Sequence, residues 1–339
     1  MGSETDLNRE REIFDLRSPQ KTLLRDQVPA PLMKDPGEVK TLEASLRRLL
    51  RHPQRPGEIV EFWASAEAAL ASFLAVRPNT VIATWTPTTT TLPAHAQVRT
   101  LSRDPADWNR DTFAQCDALL VPNPGTGDGY YLPEAILERA LETVHALNPH
   151  LLIVIDQRQR VFCWEELAPG DANKMKIPNP YVVIDSTHPA LGPERPELVW
   201  TWSNEAPSDA SAVASPSPEA LAGALYLISN FKTQQGPFAA EFHKITLVVR
   251  ESLKRISATL QPLAQAWGFR IPHWPSSGLY LRLETPSPLD AKRLQARLRA
   301  MGIEVLTGDE QGDASAVRLC YAMHLSQCDR LLKRLRELS

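Results

Sequence analysis

The chain has 339 residues with 37 Lys+Arg against 40 Asp+Glu, a balance that gives no sign of a basic face for nucleic acid or of a polybasic membrane patch. Its length exceeds that of one simple core and favours two lobes. We therefore expect small molecules or proteins as partners, rather than nucleic acid or a membrane.

The cysteines stand far apart, without the Cys/Cys or Cys/His spacing of a zinc site or the density of a disulfide framework. They are Cys116, Cys163, Cys320 and Cys328. The first residues are polar and no later run reaches membrane-spanning length. The sequence therefore predicts reduced thiols, no metal and a cytoplasmic location.

The first part of the chain predicts an arm followed by a helix. Residues 1–38 are rich in charge and proline, which favours an extended conformation. A helix is predicted over residues 39–51, because leucines recur there at helical spacing and a proline follows at position 53. This helix should carry one apolar stripe.

From Gly57 onward, short apolar runs alternate with helical patterns, the order expected of βαβ units and a parallel sheet with helices on its faces. Helices are predicted over residues 67–76 and from Pro133 to about residue 147. Strands are predicted over residues 80–85, 118–121, 151–155, 181–184 and 198–202. Together they indicate a large α/β domain with a doubly wound, mainly parallel sheet.

The last third of the chain predicts a smaller α+β domain. Residues 204–218 are rich in Ala, Ser and Pro and indicate a loop or hinge. Residues 219–268 should be mostly helical, with breaks at Pro237 and Pro262. Strands are predicted over 268–273, 278–283, 304–306 and 317–321, and helices over 289–301 and 325–338. The predicted domains are an N-terminal arm and helix associated with the small domain (1–55), the large α/β domain (56–222) and the small α+β domain (223–339).

Several short motifs lie on these elements. They are Trp63-Ala-Ser-Ala-Glu-Ala-Ala, Pro87-Thr-Thr, Val121-Pro-Asn-Pro-Gly-Thr-Gly127, Ile153-Val-Ile-Asp156, Asp185-Ser-Thr-His-Pro-Ala-Leu-Gly192 and Ala316-Val-Arg-Leu319. With these motifs in this order, the chain resembles the fold type I PLP-dependent aminotransferases, and within them the branch of histidinol-phosphate aminotransferase and threonine-phosphate decarboxylase. The resemblance implies their fold and pyridoxal phosphate (PLP) or pyridoxamine phosphate (PMP) as the cofactor to consider.

The resemblance also implies roles for individual residues. An acid at the position of Asp156 pairs, in the family, with the pyridine nitrogen of the cofactor. The positions that hold the cofactor phosphate correspond to Ser65, Ala66, Ser186 and Arg195, with the spacing of the arginine displaced by about one residue. Two plainer interpretations stay open: Asp156 could be satisfied by helix N-termini or solvent, and Ser65 could simply cap a helix.

Two further positions match the family, and each of them also has an alternative interpretation. Arg318 stands where the family binds the substrate carboxylate, a task for which a planar guanidinium is suited, although a buried arginine can also be a structural staple between lobes. The asparagine of the family's Asn-Pro-Thr-Gly turn corresponds to Asn123 if one residue is inserted, while a gapless match places Pro124 there.

The departures from the family concern its chemistry. His188 stands at the position of the lysine, and an imidazole cannot form the imine that a primary amine forms. Gln157, Arg158 and Gln159 replace the acidic and aromatic residues after the aspartate, including a tyrosine. Thr89 replaces an aromatic residue that covers the cofactor ring.

Three interpretations follow. The chain is a pseudoenzyme that keeps the fold and part of the pocket and binds a metabolite or protein partner; or it is a non-standard PLP/PMP enzyme with His188 as base; or the resemblance concerns the fold alone. The ligand would be an amino acid or a phosphate compound. The resemblance further implies a homodimer.

Overall fold

The computed structural model describes residues 13–16, 39–50, 57–74, 80–84, 92, 96–102, 104–125, 127–160, 175–187, 197–207, 215–233, 237–307 and 313–336. Its strands form a seven-stranded sheet, a three-stranded sheet and one short pair of strands.

The seven-stranded sheet is mainly parallel. The first strand of the chain, β1 (Phe14–Asp15), is not part of this sheet. The seven strands of the sheet are β2 (Ile59–Trp63), β3 (Val81–Thr84), β4 (Gln97–Thr100), β5 (Ala118–Pro122), β6 (Leu152–Asp156), β7 (Tyr181–Ser186) and β8 (Val199–Ser203). The spatial order is β2-β8-β7-β6-β5-β3-β4. Strands β4, β3, β5, β6 and β7 run parallel, while β8 is antiparallel to both of its neighbours. The predicted α/β class is confirmed.

Helices cover both faces of this sheet, and they are α1 (Val39–Leu50), α2 (Ala66–Leu74), α3 (Arg110–Phe113), α4 (Glu134–Leu147) and α5 (Pro218–Thr233). Alternate residues of β6 enter different cores: Ile153 and Ile155 pack with α1, α4 and α5, whereas Leu152 and Val154 pack with α2. A strand buried on both faces needs a continuous apolar run, and for this reason the sequence predicts these strands.

The C-terminal part contains α6 (Pro237–Leu260), α7 (Leu263–Trp267), β9 (Tyr280–Glu284), α8 (Pro288–Ala300), β10 (Ile303–Glu304), β11 (Leu306–Thr307), β12 (Ala316–Cys320) and α9 (Leu325–Arg336). Its antiparallel sheet has the order β11-β12-β9. Strand β1 pairs in parallel with β10, so that Phe14 enters the C-terminal core. Within the described residues, no helix combines the length and the apolar character that crossing a bilayer requires.

The position of α1 differs from the expectation. The sequence placed the first helix with the small domain, but Leu46 and Leu50 are buried in the core of the seven-stranded sheet. The indole Nε1 of Trp202 donates to the carbonyl of Leu50 at 2.9 Å, and Arg47 forms a 3.1 Å ion pair with Glu61. The apolar stripe therefore covers the β2–β8 edge of the large sheet, whereas β1 pairs with β10 of the C-terminal part.

Two local expectations also differ. The strand predicted over residues 268–273 is reduced to a single bridge between Arg270 and Glu284. Gly268 ends α7 in the left-handed conformation, and Pro272 has no amide hydrogen for a ladder, so that the chain leaves the sheet there. The boundary expected at residue 222 falls inside α5, whose first turns pack in the large core.

Candidate functional site

The candidate site lies where the carboxyl ends of β5, β6 and β7 meet the start of α2 and the small sheet. Asn123, Asp156 and Ser186 are at or just after the ends of these three neighbouring strands. By strand alternation, Asp156 follows Val154 and Ser186 follows Ile184 on the face covered by α2. Crevices at this edge are where open α/β sheets bind ligands.

Asp156 is fully buried and is held by Arg158. The Nε of Arg158 donates to Oδ1 at 3.0 Å, and its Nη2 donates to Oδ2 at 2.9 Å. The backbone amide of Arg158 also donates to Oδ1, at 3.2 Å. The carboxylate expected to meet a pyridine nitrogen thus meets a guanidinium of the same chain in a bidentate contact.

More carboxylates surround the Arg158 guanidinium. Burial lowers the pKa of Arg158, but the charges of Asp156, Glu197 and Glu67 outweigh it and raise the pKa above its ordinary value. Burial raises the pKa of Glu197. The charge of Arg158 opposes this rise, and the charges of Asp156 and Glu67 add to it. Glu67 stands in the first turn of α2. Among the described residues, the place expected to receive a phosphate dianion therefore carries acidic groups.

The start of α2 is capped from within. The Oγ of Ser65 accepts from the backbone amide of Ala68 at 3.1 Å, and the carbonyl of Ser65 accepts from Ala69 at 3.2 Å. These are the contacts of an N-cap residue, the plainer of the two roles considered for Ser65. Ala66 is the first residue of the helix and is buried, and Ser186 is 7 % exposed.

The side chain of Asn123 closes the loop that follows β5. Its Nδ2 donates to the carbonyl of Leu132 at 3.1 Å, and its Oδ1 accepts from the amide of Leu132 at 2.8 Å. Asn123 is 3 % exposed and precedes a cis peptide bond to Pro124. Its carboxamide thus pairs with the backbone in the manner of a strand partner and holds the ends of residues 123–132 together.

Arg318 is the largest fully buried side chain in the described part of the chain. Its Nε, Nη1 and Nη2 have no hydrogen-bond partner among the described residues. The directly opposite residue on β9 is Arg282, whose guanidinium is engaged by Asp313 and Glu284. A buried guanidinium without a partner is costly in free energy and indicates a place for an anion.

The electrostatics of Arg318 agree with this. The pKa of Arg318 is lowered to about 10, mainly by burial and also by the charge of Arg282, while Asp313 and Asp128 oppose the shift. A guanidinium whose pKa falls this far is poorly neutralised by its surroundings. An anionic ligand would supply the missing neutralisation.

One segment of the chain lies against the Arg318 guanidinium, and a second segment docks on the first. The loop after β5 passes it at Gly127, and residues 273–278 dock on this loop. The Ser276 amide donates to the Gly129 carbonyl at 3.2 Å. The Tyr321 hydroxyl lies 3.1 and 3.0 Å from the carbonyls of Ser277 and Gly278. We name this contact between residues 127–129 and 273–278 the clasp.

Glycine is required at the centre of the clasp. Gly129 has φ +65, and a Cβ there would lie 2.1 Å from the carbonyl oxygen of Ser277. Beside it, the His273 Nε2 lies 3.1 Å from the Asp128 carbonyl, and its ring meets Tyr130 edge-on. The motif at residues 121–127 gave no sign in the sequence that residues 273–278 dock on this loop.

Asp185 is a site residue that sequence reasoning missed. It follows the buried run of β7 on the face opposite to Asp156, and its Oδ2 accepts from Gln157 Nε2 at 3.2 Å. Its Oδ1 accepts from the amide of Ser186 at 2.8 Å. Burial raises the pKa of Asp185 to about 7, against the effects of the Ser186 amide, Arg160 and Gln157. The only available sequence signal was an acid at the end of an apolar run.

Three residues singled out in the sequence, namely His188, Arg195 and Thr89, lie outside the described residues. Gln157 and Gln159, which stand among the positions of the family's acidic and aromatic residues, are 1 % and 7 % exposed. Within the described residues, no group of three His, Cys, Asp or Glu side chains could hold a metal ion.

The described residues of the candidate site do not fit PLP or PMP in the manner that the resemblance implies. Both oxygens of Asp156 accept from Arg158, the Asn123 carboxamide pairs with Leu132, and the surroundings of α2's first turn carry acidic groups. A pyridinium would have to displace a bidentate guanidinium, and a phosphate would face Glu67 and Glu197. No step of chemistry is therefore derived through this cofactor.

A groove of about 710 Å³ lies elsewhere, between α6, α7 and α9 of the small domain. Its charged residues are paired, since Arg255 contacts Glu251 at 2.7 Å and Asp329 at 2.8 Å. It contains neither the orphaned guanidinium nor the strand ends, and we assign it no function.

Solved structures share this architecture. Aspartate aminotransferase from Thermus thermophilus superimposes with a TM-score of 0.70 at 16% identity, over 96% of this chain and 92% of that one. L,L-diaminopimelate aminotransferase from Chlamydomonas reinhardtii gives 0.69 at 13% identity, over 97% and 91%. Tyrosine aminotransferase from Leishmania infantum gives 0.66 at 12% identity, over 97% and 91%. No protein-family model and no curated protein sequence matches the chain.

These likenesses show the fold of the chain, which is that of the fold type I aminotransferases. They span nearly the whole chain, in agreement with the order of motifs in the sequence. At such low identity they carry the fold and not a substrate.

Proposed function

We propose that this protein is an aminotransferase-like pseudoenzyme that binds a small carboxylate, such as that of an amino acid or related metabolite, and does not perform Schiff-base transamination. The observation that carries the proposal is the buried Arg318 guanidinium without a hydrogen-bond partner among the described residues. The absence of a lysine at position 188 supports the second half, because imidazole forms no imine.

The chemistry of Arg318 favours a carboxylate over a point-like anion. A guanidinium presents its donors as a planar fork that matches the two oxygens of a carboxylate. Phosphate can also be bound in this way and is the competing ligand. Because Arg318 has no accessible surface, a ligand reaches it only after residues that cover it, Gly127 among them, have moved.

The experiment is a calorimetric titration with succinate, a panel of L-amino acids and inorganic phosphate. We expect binding to wild type that weakens about ten-fold or more in Arg318→Met, since a hydrogen bond to a charged group contributes about 1.5–3 kcal/mol. Arg270→Met, at an arginine whose side chain is 78% exposed, is the control and should bind as wild type does. Equal affinity in wild type and Arg318→Met would contradict the proposal.

An enzyme that uses PLP or PMP with His188 as base is the second candidate. The observation in its favour is that Asp156 and Ser186 are both buried on the α2 face of neighbouring strands. Fluorescence titration of wild type, Asp156→Asn and His188→Ala with PMP separates the candidates, because tight binding that depends on Asp156 would favour the enzyme. Borohydride reduction after incubation with PLP, followed by peptide mapping, is a second test of the pseudoenzyme proposal. We expect no lysine adduct, and recovery of one at a defined lysine would overturn the pseudoenzyme proposal.

We further propose a homodimer, which the aminotransferase resemblance supports. Sedimentation velocity at micromolar concentration should give about twice the mass of 37.8 kDa. A monomer over the whole concentration range would contradict this.

A cytoplasmic location belongs to the same proposal. Cys116, Cys320 and Cys328 are free and buried, as expected in a reducing compartment. Burial raises the pKa of Cys320 to about 12 and that of Cys328 to about 11, so both stay as unreactive thiols. Alkylation of acid-quenched cell extract should label these cysteines after unfolding; disulfide-linked peptides would argue against this location.

A further inference from the structure

The contact between Asp156 and Arg158 has a consequence for what the inherited pocket can bind. Asp156 has no exposed surface, and the side chain of Arg158 is 14% exposed. Arg158 supplies donors to both carboxylate oxygens at 3.0 and 2.9 Å. An acceptor pair that is already satisfied by a permanent cation offers little to a second donor.

The local backbone fixes this arrangement. Arg158 is two residues after Asp156, and its amide donates to the Asp156 carboxylate at 3.2 Å. A tight turn follows, in which the Arg160 amide donates to the Gln157 carbonyl at 2.9 Å. The guanidinium is therefore delivered by the strand end itself, with few rotatable bonds left to order, and needs no distant element to reach Asp156.

We propose that Arg158 is a built-in occupant of the ancestral cofactor pocket, whose guanidinium takes the Asp156 carboxylate and thereby excludes PLP and PMP. This inference takes from the proposed function only that the pocket descends from an aminotransferase, and it does not depend on anion binding at Arg318. On this proposal, the exclusion of PLP and PMP is due to Arg158 and not to a general loss of the cofactor contacts.

The competition favours the guanidinium for two reasons. A pyridinium brings a single N–H donor to the carboxylate, whereas Arg158 brings two in a rigid fork. The phosphate of either cofactor would also approach Glu67 and Glu197, which already act on Arg158. Like charges at short range in a partly desolvated site repel strongly.

The test removes the occupant and measures cofactor binding directly. PMP is the probe, because it has no aldehyde that could react with surface lysines, and its fluorescence reports binding without any activity. We expect wild type to bind PMP weakly or not at all and Arg158→Gln to bind it about ten-fold or more tightly than wild type. The double variant Asp156→Asn/Arg158→Gln should lose this gain, because the ring nitrogen then has no carboxylate.

A matched control uses another arginine with a bidentate carboxylate contact. Arg299 donates to Glu304 through Nε and Nη2 at 3.2 Å on the surface of the small domain. Arg299→Gln should leave PMP binding at the wild-type level. Thermal unfolding of every variant verifies that it is folded, and Arg158→Lys, which keeps the charge but loses the fork, replaces Arg158→Gln if the latter does not fold.

Two results would overturn the inference. One is tight PMP binding by wild type, and the other is a folded Arg158 variant that binds PMP no better than wild type does. Both are separate from the titration of carboxylates against Arg318→Met, so that either proposal can fail while the other stands.

Discussion

Gly127 lies directly against the guanidinium of Arg318: a Cβ atom on Gly127 would be 2.9 Å from both Cζ and Nη2. Real Cβ atoms do not approach other atoms so closely, so that either the loop or the arginine must move when a side chain is added. The loop at Gly127, on one side of the clasp, therefore packs on Arg318 and helps to cover it.

The first prediction concerns this contact. Gly127→Ala should destabilise the protein by about 1–3 kcal/mol, the usual consequence of overpacking, and should weaken carboxylate binding through a displaced Arg318. Urea unfolding and the calorimetric titration measure the two effects. An alanine variant with wild-type stability and affinity would show that the loop yields freely.

Gly223→Ala is the matched control. Gly223 lies within α5, and a Cβ there would meet no atom within 4 Å. Alanine in a helix interior is favoured over glycine by about 1 kcal/mol. We therefore expect this variant to be slightly more stable than wild type and to bind the ligand unchanged.

The second prediction decides between the two roles considered for Arg318. If the residue is an anion site, Arg318→Met should raise the free energy of unfolding of the ligand-free protein, since it removes a desolvated charge that lacks a hydrogen-bond partner among the described residues. A structural staple would behave in the opposite way, and loss of stability by about 3 kcal/mol or more would support it. Urea unfolding without and with succinate distinguishes the outcomes, because only wild type should gain stability from the ligand.

The sequence predicted the order of most elements because the buried strands are continuous apolar runs. Strands β2 and β4 were not predicted; in β4 all four residues are exposed and Val98 alone is apolar. The strand predicted after Gly268 failed for the opposite reason: its apolar residues belong to a segment that Pro272 turns toward the clasp. Composition identifies burial, whereas pairing depends on partners that are far away in the chain.

The same limit applies to the site. Asp156 and Arg318 could be singled out from motifs and strand ends. That Arg158 turns back onto Asp156 depends on the tight turn over residues 157–160, and that Arg318 lacks a partner depends on Asp313 pairing with Arg282 instead. Both facts arise from a competition among neighbours that only three-dimensional geometry decides.

The third prediction concerns pH. Burial raises the pKa of Asp185 from 3.8 to about 7. Between these values the folded protein binds more protons than the unfolded chain does, so that this group lowers stability as pH rises from about 4 to about 7. Asp185→Asn should remove the decline. An asparagine can also donate to the Gln157 Oε1, which has no partner among the described residues, after a rotation of the Gln157 amide.

Urea unfolding of wild type and Asp185→Asn at about pH 4.5 and about pH 8 tests this, and we expect the advantage of the variant to grow with pH. Asp313→Asn is the control of opposite sign. Although burial acts to raise it, the pKa of Asp313 is lowered because Arg282 outweighs burial, so that its stabilisation is present at neutral pH and is lost as pH falls. An Asp185→Asn advantage that is the same at both pH values would contradict the assignment.

The fourth prediction is that Asn123 affects ligand binding through the loop that it closes and not by contacting the ligand. Asn123→Ala removes both hydrogen bonds to Leu132, which leaves a buried amide and carbonyl without these partners, and should lower stability by about 1–3 kcal/mol. Because the loop closed by this pair carries Gly127, carboxylate affinity should fall as well, and the effects of Asn123→Ala and Gly127→Ala should be less than additive.

Asn109→Ala, at an exposed helix cap, should lower stability by about 1 kcal/mol and leave affinity unchanged. If Asn123→Ala lowers stability but not affinity, the position of Gly127 is set by the docking of residues 273–278 alone, and the role assigned to Asn123 in holding the site is wrong.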